Sequence, residues 1–267
     1  MLQVCLNGTR GPGDSAWVPM SPESLAESAA RAVAAGAGEV RAHPRTPCGG
    51  TSLSPRVLGP VLSSLRAAVG REVRVTTVAA AEPDMGRRVE RVRSWAVLPD
   101  LVSVDWHEPG AEEVAGALLG RGIGVEAGLW AGTDGAERFA RSPLAPLVRR
   151  VLVKVPFPAA GGEAEGAARA FLSALELPVG VSVLMHGEDG CAWPVLRLAR
   201  RLGLAARIGM EDTLLLPDGT RARSNAELVA AALTDRGPSG GPGSDGPRGV
   251  LTITPRARPA RGDTHSG

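Results

Sequence analysis

Three of the four histidines in this chain, His43, His107 and His186, fall at or just beyond the ends of short β-branched runs. So do Thr76, Thr77, Asp105, Glu108, Glu126, Glu188, Glu211 and Asp212. Imidazoles and carboxylates brought together can bind a metal ion or carry protons. Polar residues are also ordinary where a strand meets a loop, so convergence carries the signal, not any single residue.

Alternation along the runs sharpens the choice. Around the second run Arg41, His43 and Arg45 share one face, opposite Val40 and Ala42. Around the eighth, Arg207, Gly209 and Glu211 lie opposite Ile208 and Met210. If both runs flank the first, His43 and Glu211 come within reach of one metal ion such as Zn²⁺, although two ligands are too few to hold it. Arg45 and Arg207 could each fork onto a substrate carboxylate or form a structural ion pair. Lys154, the sole lysine, falls on the sixth run, where it could serve as a Schiff-base amine or as an ordinary paired cation.

The elements that must position these residues alternate strictly. Strands are expected at 2–7, 39–43, 72–77, 101–106, 124–130, 150–155, 181–186 and 206–210. Helical periodicity fills 21–35, 54–69, 85–95, 111–120, 134–141, 163–175, 192–202 and 226–234. Ser21 before Pro22 reads as a helix N-cap, and Gly36, Gly120, Gly122 and Gly203 stand where helices should stop. Eight strand–helix pairs with short connections predict a parallel sheet, closed as a (β/α)₈ TIM barrel over residues 1–235. An open doubly wound sheet is the runner-up, but Asn7-Gly8-Thr9-Arg10-Gly11 is not its glycine fingerprint. Residues 236–267 are rich in Gly, Pro and Arg and are expected to form a disordered tail.

Composition excludes several classes. Net charge is +2 with both signs interspersed, which implies no nucleic-acid or membrane patch. No apolar run is long enough to span a bilayer, and the N-terminal residues lack a signal-peptide layout, so a soluble cytoplasmic protein is expected. Cys5, Cys48 and Cys191 are scattered and odd in number, as reduced thiols would be.

At the strand ends the sequence resembles the β-keto acid cleavage enzymes, the family typified by 3-keto-5-aminohexanoate cleavage enzyme. The matching stretches are Cys5-Leu6-Asn7-Gly8, Ala35-Gly36-Ala37 to His43-Pro44-Arg45, Asp105-Trp106-His107-Glu108-Pro109-Gly110 and Gly124 to Trp130. They continue with His186-Gly187-Glu188, Ala192-Trp193-Pro194, Arg207 to Thr213, Leu216-Pro217-Asp218-Gly219 and Asn225-Ala226. The resemblance implies a zinc-dependent TIM barrel, homo-oligomeric, that reacts a β-keto acid with acetyl-CoA to give acetoacetate and a new CoA thioester. It implies metal ligands at His43 and Glu211, a catalytic base at Asp212 oriented by Arg207, and a pocket carboxylate at Glu126. Arg45, Thr76, Thr77, Asp105 and His186 fall to substrate binding.

One position departs from the family's H-x-H ligand motif: its first histidine is Arg41 here, and the aspartate usual after His-x-Arg is Thr46. A guanidinium has no lone pair for a metal. Either His43, Glu211 and a further group such as His186 or water retain the ion, or Arg41 pairs with Glu211 and fills its place. Three functions therefore compete: metal-assisted C–C cleavage, a repurposed barrel that binds a keto acid or acyl-CoA without turnover, and a Schiff-base aldolase using Lys154.

Overall fold

The computed structural model of the protein describes residues 1–70, 73–76, 84–156, 164–235 and 237. Thr77 and, apart from Gly237, the expected tail lie outside the described residues, as does the side chain of Thr76.

Among the described residues, strands and helices alternate along the chain as the periodicity requires. The strands are β1 (Leu2–Cys5), β2 (Glu39–Ala42), β3 (Val73–Thr76), β4 (Leu101–Asp105), β5 (Gly124–Trp130), β6 (Arg150–Val155), β7 (Ser182–Gly187) and β8 (Ala205–Ile208). The helices are α1 (Pro22–Ala34), α2 (Pro55–Val69), α3 (Met85–Ser94), α4 (Ala111–Leu119), α5 (Gly135–Arg141), α6 (Ala164–Ala174), α7 (Ala192–Arg201) and α8 (Asn225–Thr234). Each strand pairs in parallel with the next, and β1 pairs with β8 on its other edge, so the sheet runs round into a ring.

Local chemistry starts and stops the helices. Ser21 accepts from the Ser24 amide, the Ser24 side chain accepts from the Ser21 amide, and Pro22 supplies a preset first-turn φ. Asp84 caps α3 by accepting the Arg87 amide, and Ser224 caps α8 by accepting the Glu227 amide. Gly122 and Gly203 turn the chain left-handed after their helices, and α4 stops at Gly120 as expected, with a right-handed φ of −63° there. The expected ends of β1, β2, β4 and β8 run one or two residues long, those of β5 and β6 match, and β7 runs one residue further, to Gly187. Cys5 closes β1 and Ile208 closes β8, because the chain turns there to build the mouth.

Alternate strand residues divide two interiors. Val40, Val102, Val104, Val125, Ala127, Val151 and Val153 are buried in the apolar cluster shared with the helices. Burying each of these valines contributes about 1.5–3 kcal/mol. The residues between them meet inside the ring, and there the protein is unusually polar: Gln3, Arg41, Ser103, Glu126, Arg150 and Arg207 are all buried.

Candidate active site

The floor of the ring is a chain of charges. Arg150 at the start of β6 donates to Glu39 at 3.0 Å and to Glu126 at 2.7 Å through Nε. Ser103 donates to the other Glu126 oxygen, and Arg41 Nη1 donates to Ser103 Oγ at 3.1 Å. Arg41 Nη1 itself lies 3.7 Å from Glu126 Oε1. Glu126 is fully buried and stands four residues before Trp130, the last residue of β5. Sequence reasoning placed Glu126 among the mouth residues; in the structure both of its oxygens are engaged, one by Ser103 and one by Arg150.

Above this floor sits the mouth. Arg207 Nη2 donates to Glu211 Oε1 and to Asp212 Oδ1, each at 2.6 Å, and Arg207 Nε reaches both Asp212 oxygens at 3.1 and 3.2 Å. His186 Nδ1 lies 3.1 Å from Asp212 Oδ1. His43 Nε2 lies 3.4 Å and Arg41 Nε 3.8 Å from Glu211 Oε2. Both ring nitrogens of His43 and of His186, Arg41 Nε and Glu211 Oε2 are buried without a hydrogen-bond partner. Such orphaned groups are rare in a settled interior and common where a ligand completes the set.

Burial and charge fix the protonation states. Burial would raise the carboxyls, but Arg207, Arg41 and His43 hold Glu211 well below the ordinary range. Arg207 and His186 likewise outweigh burial and lower Asp212. Burial lowers both histidines despite their carboxylate neighbours, so each is a neutral imidazole at neutral pH. Burial raises the Cys5 thiol beside them, so it remains uncharged.

Backbone architecture aims these side chains. Asn7 donates from Nδ2 to the His43 carbonyl at 3.0 Å and accepts the His43 amide at 2.9 Å, clamping the ends of β1 and β2 together. Asn225, at the start of α8, accepts from the Met210 amide at 2.8 Å and donates to the Leu6 carbonyl at 2.9 Å. The chain after β8 leaves the strand, with the Asp212 and Thr213 amides both donating to the Gly209 carbonyl. Glu211 therefore reaches the mouth from a tight turn, which strand alternation had not indicated. Gly8, at a φ of +57°, admits it: a Cβ there would stand 2.3 Å from Glu211 Cγ.

Other expected site residues have different occupations. Arg45 spends its terminal nitrogens on the carbonyls of Gly49 at 2.9 Å, Arg10 at 3.0 Å and Gly8, so the fork expected for a substrate carboxylate is filled by the chain itself. Asp105 accepts from Trp130 Nε1 at 2.9 Å. Lys154 Nζ lies 2.6 Å from Glu188 and 3.5 Å from the Trp130 ring centroid. A Schiff-base amine needs an uncommitted nitrogen, and this one is engaged as a cation by a carboxylate and a ring face. Ser103, Arg150, Asn7 and Asn225 were not singled out for a role from sequence, although the alternation that marked Arg41 and His43 applies equally to Glu126 and Arg150 on β5 and β6.

His43 and Glu211 have the donor types and the closeness of a zinc ligand pair. A third donor is missing: among the described residues no three His, Cys, Asp or Glu side chains converge to hold an ion. The place beside Glu211 Oε2 is taken by Arg41. A catalytic zinc keeps three protein ligands, and a guanidinium supplies none, so these residues do not fit the ion.

A sequence model described as β-keto acid cleavage enzyme matches residues 1–234. Solved structures of ObcA share the fold. Its apo form aligns with a TM-score of 0.62 at 14% identity, over 81% of this chain and 61% of ObcA. The binary complex with oxaloacetate aligns at 0.63 and 15% identity, and the ternary complex with a C4-CoA adduct and oxalate at 0.63 and 14%. In both complexes 81% of this chain matches 63% of ObcA, so the chain spans about three fifths of that protein's length. No curated protein matches the chain. No helix among the described residues is long and apolar enough to cross a membrane.

Proposed function

Because the chain belongs to the β-keto acid cleavage enzyme family, we propose that its mouth exchanges acyl groups between a β-keto acid and acetyl-CoA, giving acetoacetate and a new acyl-CoA from a single TIM-barrel domain over residues 1–235. The observation that carries this reading is the buried anion Asp212, held on Arg207 and facing the neutral imidazole of His186. Carbon–carbon chemistry next to a keto group needs a group to accept a proton and a fixed positive charge near the oxygen where negative charge develops. Asp212 takes the first role. Arg207 keeps it ionised and aimed, and His186 is placed to share the proton that Asp212 gains.

The ligand class agrees with what ObcA holds in its solved complexes, oxaloacetate and a CoA adduct. Oxaloacetate is a β-keto acid, and its presence on a related scaffold supports the substrate class proposed for this chain. The test is a panel of β-keto acids incubated with acetyl-CoA and full-length protein, read by mass spectrometry. Acetoacetate and a matching new acyl-CoA are expected, and no turnover across a broad panel would sink the reading.

A second reading, a barrel that binds a keto acid or acyl-CoA without turning it over, draws on Arg41 beside Glu211. Activity that appears only in Arg41→His would favour it.

A further inference from the structure

We propose that Arg41 takes the place of a divalent ion in this mouth, so that the guanidinium presents the positive charge to the substrate's keto or carboxylate oxygen and the site takes a β-keto acid anion free of metal. The ligand half of this rests on the function proposed above; the absence of an ion does not.

The cation is built in from below. Arg41 is 4% exposed, its Nη1 is fixed on Ser103, and Ser103 is anchored on Glu126, which Arg150 and through it Glu39 hold in turn. A side chain so tethered cannot swing out to admit an ion. A divalent ion between His43 Nε2 and Glu211 Oε2 would lie a few ångströms from that fixed charge, short of one ligand and repelled.

The Nε edge of the same guanidinium is buried and unpartnered. Arg41 Nε has no hydrogen-bond partner, nor has either nitrogen of His43. The 3.8 and 3.4 Å gaps to Glu211 Oε2 are too long for good direct hydrogen bonds, and Arg207 already satisfies the opposite Glu211 oxygen at 2.6 Å. An oxygen accepting from Arg41 Nε–H and from a His43 N–H would complete both donors. Donors fixed in a buried site stabilise a developing oxyanion without having to reorganise. Glu126 is then a positioning residue for Arg41, and not a group that touches substrate.

The experiment uses full-length protein dialysed against EDTA. Cobalt(II) is titrated by its visible absorption, and acetoacetate binding is measured by calorimetry with and without added zinc. Wild type is expected to show no saturable cobalt site and to bind acetoacetate equally in both conditions. Arg41→Met should weaken acetoacetate at least about tenfold while still melting cooperatively, the loss of a hydrogen bond to a charged group. Arg41→His should gain a saturable cobalt site with intense tetrahedral-type absorption. Glu126→Gln should weaken acetoacetate through a loosened Arg41; a fall in melting temperature with unaltered affinity would overturn its positioning role. Zinc carried stoichiometrically through dialysis by wild type, or acetoacetate binding that requires added zinc, overturns the proposal, and both are read without any variant folding. Wild type that takes neither metal nor acetoacetate overturns the ligand assignment together with the keto-acid reading, and leaves the missing ion standing.

Discussion

Arg207 grips Asp212 side-on, Nη2 to Oδ1 at 2.6 Å and Nε to both oxygens at 3.1 and 3.2 Å, with neither residue open to solvent. The same guanidinium serves Glu211 at 2.6 Å. Removing it by Arg207→Met would leave two carboxylates buried against each other with one cation fewer. Breaking a buried pair from one side costs about 3–5 kcal/mol, more than the pair's net worth, because the abandoned charge is stranded. Urea unfolding should show a loss of that order, and a loss under about 1 kcal/mol would mean that water reaches the pair.

Acid should act in two windows. Burial lowers His43 and His186, so the unfolded chain binds their protons first, and stability falls as pH drops below the unfolded value of about 6.5. Glu211 and Asp212 are lowered by Arg207 and by their other partners in spite of burial, so their contribution is full above about pH 4 and is lost as pH falls through their native values. Urea midpoints measured from pH 8 to 3 should therefore decline in two stages. His186→Asn should shrink the upper stage to the share of His43 and also trim the lower one through Asp212, and an unchanged upper stage in that variant would refute the assignment to His186.

Gly8 tests how tightly Glu211 is aimed. Its φ of +57° already disfavours a side chain, and an added Cβ would stand 2.3 Å from Glu211 Cγ and 2.9 Å from its Cβ. Gly8→Ala should cost about 1–3 kcal/mol from backbone strain alone. It should also displace Glu211 from Arg207 and His43, so turnover should fall further than the stability loss explains. A variant that is destabilised yet fully active would show that Glu211 can shift without consequence.

The strand–helix alternation was legible because helical and strand periods differ and each strand's outward face is apolar. The mouth was legible in part: β2 alternation put Arg41 and His43 on one face, and both are buried there. Two things lay beyond that signal. Arg150 reads as an ordinary polar residue on its strand, because its partners Glu126 and Glu39 come from other strands. Glu211 was reached by extending β8 past Ile208, whereas a turn closed by the Gly209 carbonyl delivers it. Alternation says which face a residue takes and nothing of which residues from other strands it meets there.

Lys154 offers the cleanest separation among the chemistries the sequence allowed. It is the sole lysine, so any borohydride-trapped adduct other than at the N-terminus would have to sit on it. Its ammonium is held 2.6 Å from Glu188 and 3.5 Å over the Trp130 ring, both contacts that prefer a full positive charge. Lys154→Met should therefore retain activity within about tenfold, since a largely buried ion pair outside the chemistry acts only through the mouth's order, and a tenfold change is about 1.4 kcal/mol. Borohydride with acetoacetate should leave the intact mass of the protein unchanged. A mass increase mapped to Lys154, together with activity abolished in Lys154→Met, would replace Asp212 by the lysine as the group that carries the chemistry.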